Sequence, residues 1–308
     1  MDRREFLERV AAWSTGVCLA TPIFRVRDIV AAEANARKRS VVSVVRGKDY
    51  AALVDRTLKS LGGIKKFVQE GMRVVVKPNI GWDRPPEQAA NTNAMVVEAI
   101  VRQCLDAGAK RVWVFDRPCN DPRRSYARSG IPAAVASIGD VRAQCFQLNP
   151  KRYVPVRIDG GKSIQQFEFY RDALETECDC YINVPVAKHH ALARLTLGLK
   201  NTMGVLGGRR GELHKDIGPR LADVNLVIRP KLTIIDATRI LLRNGPGGQS
   251  LDDVKVLDTL VASTDPVAVD AYATTLFGLK PEDVRSTVAA HQLGLGEMDL
   301  SRVKILET

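Results

Sequence analysis

Four runs of β-forming residues recur through the chain, and each empties into polar residues able to do chemistry. Met72–Val76 leads into Lys77-Pro78-Asn79, and Val112–Phe115 ends at Asp116. Tyr181–Val186 carries Asn183, is closed by Pro185 and is followed by Lys188 and His190, while Leu232–Ile235 ends at Asp236. Strands this apolar are covered on both faces, as in a parallel sheet between layers of helices. Helical spacing separates them. Leu53, Val54, Leu58 and Leu61 mark a helix stopped by Gly62-Gly63. Val96, Val97, Ile100, Val101 and Leu105 mark another, capped by Thr92 or Asn93 and ended by Gly108. This rhythm predicts an α/β fold around a mostly parallel sheet flanked by helices, with right-handed crossovers. The polar endings then share one sheet edge, where ligands bind in open α/β sheets.

The rest of the chain adds elements to this frame. A first strand is expected at Val41–Val45, short helices at Pro122–Ser129 and Pro132–Ile138, and less buried strands at Val141–Leu148 and Val154–Ile158. Leu221–Ile228 reads as a helix and Val256–Ala262 as a strand. Asp265-Pro266 then opens a helix to Phe277, followed by a helix over Glu282–His291 and a last strand at Val303–Leu306. A chain of 308 residues, 45% of them hydrophobic, can bury a sizeable core. Residues 37–308 are expected to form a single domain, two-lobed if a crevice divides it.

Residues 1–36 read as a leader and linker. Arg3-Arg4 followed by Phe6-Leu7 resembles a twin-arginine export signal. The weakly apolar segment Val10–Ala20 is too short for a membrane span, and Ala32-Glu33-Ala34 and Ala34-Asn35-Ala36 offer cleavage sites. The expected partner is the twin-arginine export machinery, and the expected location is periplasmic or otherwise outside the cytoplasm. The formal net charge is +11, which favours small anionic ligands or acidic surfaces. No long Lys/Arg run and no basic motif interleaved with aromatics occurs, so nucleic acid is not an expected partner.

The densest chemistry lies between Cys178 and His214, which holds three of the four histidines together with Lys188, Arg194, Lys200, Arg209 and Arg210. His190 and His214 can act as general bases or metal ligands, because neutral imidazole does both near pH 7. In an extended chain His189 and His190 point to opposite sides, so only one can enter a given site. Lys77, Lys188 and Lys200 can hold a carboxylate or phosphate, and a lysine crowded by other cations can serve as a base or a Schiff-base nucleophile. His190, His214 and Asp236 make a candidate transition-metal triad, so a metal ion is a candidate cofactor. Asp116 and Asp265 are candidate orienting carboxylates, although a single Asp at a strand end is more often a helix cap. Gly245-Pro246-Gly247-Gly248 is either a plain turn or an anion-wrapping loop. Cys178 and Cys180 alternate with Asp179 and are expected on one strand face. With no C-x-x-C in the sequence, an iron–sulfur cluster is not expected.

These residues also carry a family resemblance. Lys77-Pro78-Asn79, Asn183-Val184-Pro185 with Lys188 and His190, and Lys200-Asn201 with Gly204 and His214 resemble the domain of unknown function 362 family. So do Asp236 followed by Gly245-Pro246-Gly247, and Asp265-Pro266 with Asp270, over roughly residues 41–278. Some members carry an added ferredoxin-like domain with two four-cysteine motifs, and the present sequence does not contain those motifs. The resemblance marks these positions as a site, and their chemistry makes His190, Lys188, Lys200 and His214 the candidates for catalysis and Lys77, Asn79, Asn183, Asn201, Gly245 and Gly247 the candidates for ligand binding. Three functions follow from these residues. The first is an enzyme using His190 as acid/base on a small anionic substrate, with or without a metal-containing cofactor. The others are a non-catalytic binding protein, or a redox or metallocofactor accessory protein.

Overall fold

The computed structural model describes residues 39–308, so the expected leader lies outside the described residues. Twelve strands and eight α-helices follow in chain order: β1 (Val41–Arg46), α1 (Tyr50–Ser60), β2 (Arg73–Pro78), α2 (Ala94–Asp106), β3 (Arg111–Val114), α3 (Pro122–Ser129), α4 (Ile131–Ala136), β4 (Ala143–Cys145), β5 (Tyr153–Arg157), β6 (Gln166–Tyr170), β7 (Cys180–Val184), β8 (Val186–His190), β9 (Arg194–Thr196), α5 (Gly198–Asn201), α6 (Ile217–Val227), β10 (Leu232–Leu241), β11 (Val254–Ser263), α7 (Pro266–Thr275), α8 (Arg285–Gln292) and β12 (Lys304–Glu307). The main sheet runs β12-β1-β11-β10-β7-β2-β3-β4. Its neighbours are parallel except on either side of β11, which pairs antiparallel with both β1 and β10. The fold is α/β, as the apolar runs predict.

Alternation along the central strands divides the core between two layers. Val74, Val76, Cys180, Ile182, Val184 and Ile234 pack with α1, α2 and α4 on one face. Val75 and Tyr181 join Phe115, Leu206 and α6 on the other, where Ile235 packs with α7 in an adjoining cluster. Cys178 and Cys180 therefore fall in opposite layers, not on one face, because Cys178 lies before β7 begins. Burial pushes both thiols up to about 12.

Pro185 closes β7 as expected, but strand pairing resumes one residue later. The chain continues as β8, parallel to the far half of β10, and Asp236 N–H donates to the Pro185 carbonyl across the junction. The region after α4 forms only the short strand β4, then a separate antiparallel hairpin of β5 and β6. Because β11 runs backwards, Ser263 lies beside Thr233 at the start of β10. Asp265 is thus carried to the opposite edge from Lys77 and Asp116, and it does not orient the lysines. Its carboxylate caps α7 through Val267 and Ala268 N–H and accepts from Ser40 Oγ and Glu297 N–H.

Ile182 is fully buried at the middle of β7. Ile182→Ala is expected to cost about 2–5 kcal/mol of stability, read from chemical denaturation, because the packed sheet cannot collapse into the void.

Candidate active site at the carboxyl edge of the sheet

The ends of β2 and β3, strand β8 and the α5 segment converge on one cleft of about 170 Å³. Lys77, Asn79, Asp116, Lys188, His190, Lys200, Asn201 and His214 line it, so most of the residues singled out in the sequence meet there. Trp82, Arg117, Cys119, Met203, Arg210 and Pro246 also line it. Of these, Arg210 belonged to the basic stretch already noted. Trp82, Arg117 and Cys119 sit in loops that carry no periodicity, so only the fold reveals them.

Lys77 is fully buried at the end of β2. Its Nζ pairs with Asp116 Oδ1 at 2.8 Å and donates to Asn201 Oδ1 at 2.8 Å. Burial lowers its pKa, and the Asp116 carboxylate opposes that shift. Asp116 Oδ2 accepts from Ile80 N–H at 2.6 Å, which fixes the loop after β2. Asn201 uses its whole amide. Its Oδ1 also accepts from Asn79 Nδ2, and its Nδ2 donates to the Lys77 carbonyl and to Asn183 Oδ1. Asn183 lies behind the cleft, its Nδ2 donating to Gly198 O. The short helix α5 is held from below by Asp270, whose carboxylate accepts from Gly198 and Leu199 N–H at 2.7 and 2.9 Å. That carboxylate is fully buried, and burial pushes its pKa up to about 7.

The other two lysines have no carboxylate partner among the described residues. Lys188 Nζ donates to Asn79 Oδ1 at 3.0 Å and to the Ala90 carbonyl. Burial, and more weakly the Lys200 and Lys77 charges, bring its pKa down to about 7. Among the described residues, Lys200 Nζ has only the Met203 thioether sulfur, at 3.6 Å, and burial first, then Arg210 and Lys77, bring it to about 8.

His190 and His214 stack with ring centroids 5.3 Å apart. His190 Nδ1 accepts from Leu192 and Ala193 N–H at 3.1 and 3.2 Å, so the neutral ring carries its proton on Nε2. Burial, with Lys200 next, pushes its pKa down to about 2. His190 therefore stays neutral, with its one N–H donor on Nε2. His214 has the other tautomer: Nδ1–H donates to Gly211 O at 3.0 Å, leaving a lone pair on Nε2. That nitrogen is buried and has no partner among the described residues. Burial lowers this pKa too. His189 faces away, and its Nδ1 accepts from Gly245 N–H.

Two expectations for this site do not hold. Asp236 does not reach the histidines. It is buried against α2, accepting from Asn93 N–H, Thr238 N–H and Thr238 Oγ1, and no cluster of three or more His, Cys, Asp and Glu side chains able to hold a metal occurs among the described residues. The loop at Gly245 does not wrap an anion, because the Gly245 N–H is spent on His189 and Gly247 lies against the Trp82 ring. Only Pro246 of that loop lines the cleft.

The family model described as domain of unknown function (DUF362) matches residues 74–275, the span that supplies every wall of this cleft. The chain belongs to the DUF362 family. A thylakoid-associated protein of Synechocystis sp. is 28% identical over 267 residues, covering 82% of this chain and 79% of the relative. A crystal structure of a protein from Thermotoga maritima aligns with a TM-score of 0.47 and 12% identity, over 74% of this chain and 59% of that one. No helix among the described residues is long and apolar enough to cross a membrane.

Gly204 closes the cleft against the Lys77–Asp116 pair. A Cβ there would fall 1.7 Å from Asp116 Oδ1 and 2.4 Å from Lys77 Nζ. Gly204→Ala is expected to split the pair and lower stability by about 3–5 kcal/mol, since each charge is left buried alone. A thermal melt beside that of the wild type measures it.

Proposed function

We propose that this DUF362 member is an exported enzyme that binds a small anion in the cleft and moves a proton with its imidazole pair. One observation carries the reading. Among the described residues, five cationic side chains line the cleft (Lys77, Arg117, Lys188, Lys200 and Arg210) against a single carboxylate, Asp116. Removing unpaired ammonium groups from water costs several kcal/mol, and a bound anion offsets that cost. The two arginines spend donors on loop carbonyls: Arg210 on Arg117 O, Met203 O and Pro118 O, and Arg117 on Leu206 O. They build the wall, while Lys200 is left to meet the ligand.

Proton transfer is divided between the two rings. His214 Nε2 accepts a proton from the bound molecule, and His190 Nε2–H donates a hydrogen bond to the oxygen on which charge develops. Its neutral state, held by two backbone donors, suits His190 to that role better than to the acid/base role expected from sequence. His214→Ala is expected to remove turnover while anion binding persists. A chain that binds anions with or without His214 and shows no turnover would instead be a capture protein.

Titrating phosphate and oxalate by calorimetry tests the binding step. Lys200→Gln is expected to weaken both by about tenfold or more, about 1.4 kcal/mol. The pH dependence has a defined sign. Lys188 and Lys200 lose their charge as pH rises through about 7 and about 8, so anion affinity falls across that window. Stability of the unliganded protein moves the other way. Above pH 7 the unfolded chain binds more protons than the folded one at these lysines, so unfolding free energy rises with pH from about 7 towards 9. Asp270, pushed up to about 7, contributes a loss of stability with rising pH only below that window.

Export rests on Arg3-Arg4 and Phe6-Leu7. Replacing Arg3 and Arg4 together by Lys is expected to keep the chain in the cytoplasmic fraction of a bacterium with a twin-arginine pathway, whereas the wild type is recovered from the periplasm. Immunoblots of the two fractions read the outcome.

A further inference from the structure

Three lysines line the cleft, and they differ in one decisive respect. Lys77 is tied to Asp116, and Lys200 touches only a thioether. Lys188 alone is held by two oxygens that carry no formal charge, Asn79 Oδ1 and Ala90 O. A neutral amine has two N–H donors and one lone pair. Two acceptors consume both donors, and the remaining tetrahedral direction at Nζ is the lone pair. The side chain is 1% exposed, and its place on β8, next to the paired strands β9 and β10, gives it a rigid base. Among the described residues it makes no salt bridge that would hold it as an ammonium. The lowered pKa described above agrees with this geometry.

We propose that Lys188 is the amine nucleophile of the cleft, forming an imine with a small oxo-acid whose anionic group is held by Lys200. The inference rests on the anion-binding reading above and names the substrate class. The Nζ lone pair forms the new C–N bond as the carbonyl π pair moves to oxygen, giving a carbinolamine. Both amine protons pass to that oxygen, which leaves as water, and the C=N bond closes with no oxidant or reductant. Lys200 and His190 line the same cleft; in this reading the Lys200 ammonium keeps the anionic group and the His190 Nε2–H donates to the departing oxygen. In the imine, electrons from a bond adjacent to the former carbonyl carbon can drain into nitrogen. His214 Nε2 is the free base that would take a proton released there.

The test is reductive trapping on the full chain. Protein is incubated with glyoxylate and sodium cyanoborohydride, and labelled lysines are located by peptide mass spectrometry. Acetaldehyde, a two-carbon carbonyl without the anion, is run in parallel. The expected result is carboxymethylation of Lys188 at about tenfold or more the mean rate of the exposed lysines, with no such preference for acetaldehyde and with protection by phosphate. Lys188→Arg, which keeps a cation, abolishes the label, and Lys188→Met does the same if arginine does not fit. Lys200→Gln slows labelling by about tenfold while leaving it at Lys188. Wild-type label spread over exposed lysines with Lys188 unmodified overturns the inference. If calorimetry on that same sample still detects phosphate binding, imine formation alone is wrong. If phosphate binding is absent as well, the anion-binding reading falls with it.

Discussion

The pair between Lys77 and Asp116 is the contact on which the edge of the sheet depends. A lysine and an aspartate shut away from water would be a liability if they met only each other. Here each has a second duty. Asp116 takes the Ile80 N–H and so anchors the loop after β2, while Lys77 meets Asn201 and so anchors α5. Loop, strand end and helix are joined through two opposite charges and one amide. Gly204 packs over them so closely that no side chain fits. The pair contributes less as a source of stability than as a way of fixing where three separate segments meet.

That junction explains why the neighbouring charges can be left unbalanced. With Asp116 committed to Lys77, no carboxylate among the described residues remains in the cleft for Lys188 or Lys200. Burial first, and the neighbouring cations after it, lower their proton affinity, and His190 and His214 respond to burial and to the same positive field. The imidazoles differ because their backbones differ. Two N–H groups press on His190 Nδ1, and a carbonyl faces His214 Nδ1. Side chains of one chemical type thereby acquire opposite hydrogen-bonding roles.

Much of this was legible in the sequence, for a physical reason. Strands covered on both faces must be apolar throughout, so polar residues collect where coverage stops. Lys77, Asp116 and the Lys188–His190 step therefore announced the edge. Strand direction was not written in the same way. Nothing in Val254–Ser263 marks it as reversed, and Asp265 accordingly fell at the wrong end of the sheet. Asp236 ended an apolar run, yet the strand continued past it and the carboxylate became a brace for α2. Cys119, Arg117 and Trp82 reach the cleft only through loop conformation, which leaves no periodic trace. The tautomers of the histidines also depend on backbone groups that residue types alone do not locate.

The passage from β7 through Pro185 into β8 has one more consequence. Since the floor of the cleft is a pleated strand, successive side chains alternate between cavity and exterior. Lys188 and His190 look inward together, and His189 looks out, because of parity counted from the sheet centre. Adding or removing one residue between Val184 and Val186 would exchange the two sets, presenting His189 to the cavity and turning Lys188 and His190 away from it. An insertion in the turn beyond His190, where Leu192 already stands in solvent, leaves that parity unchanged.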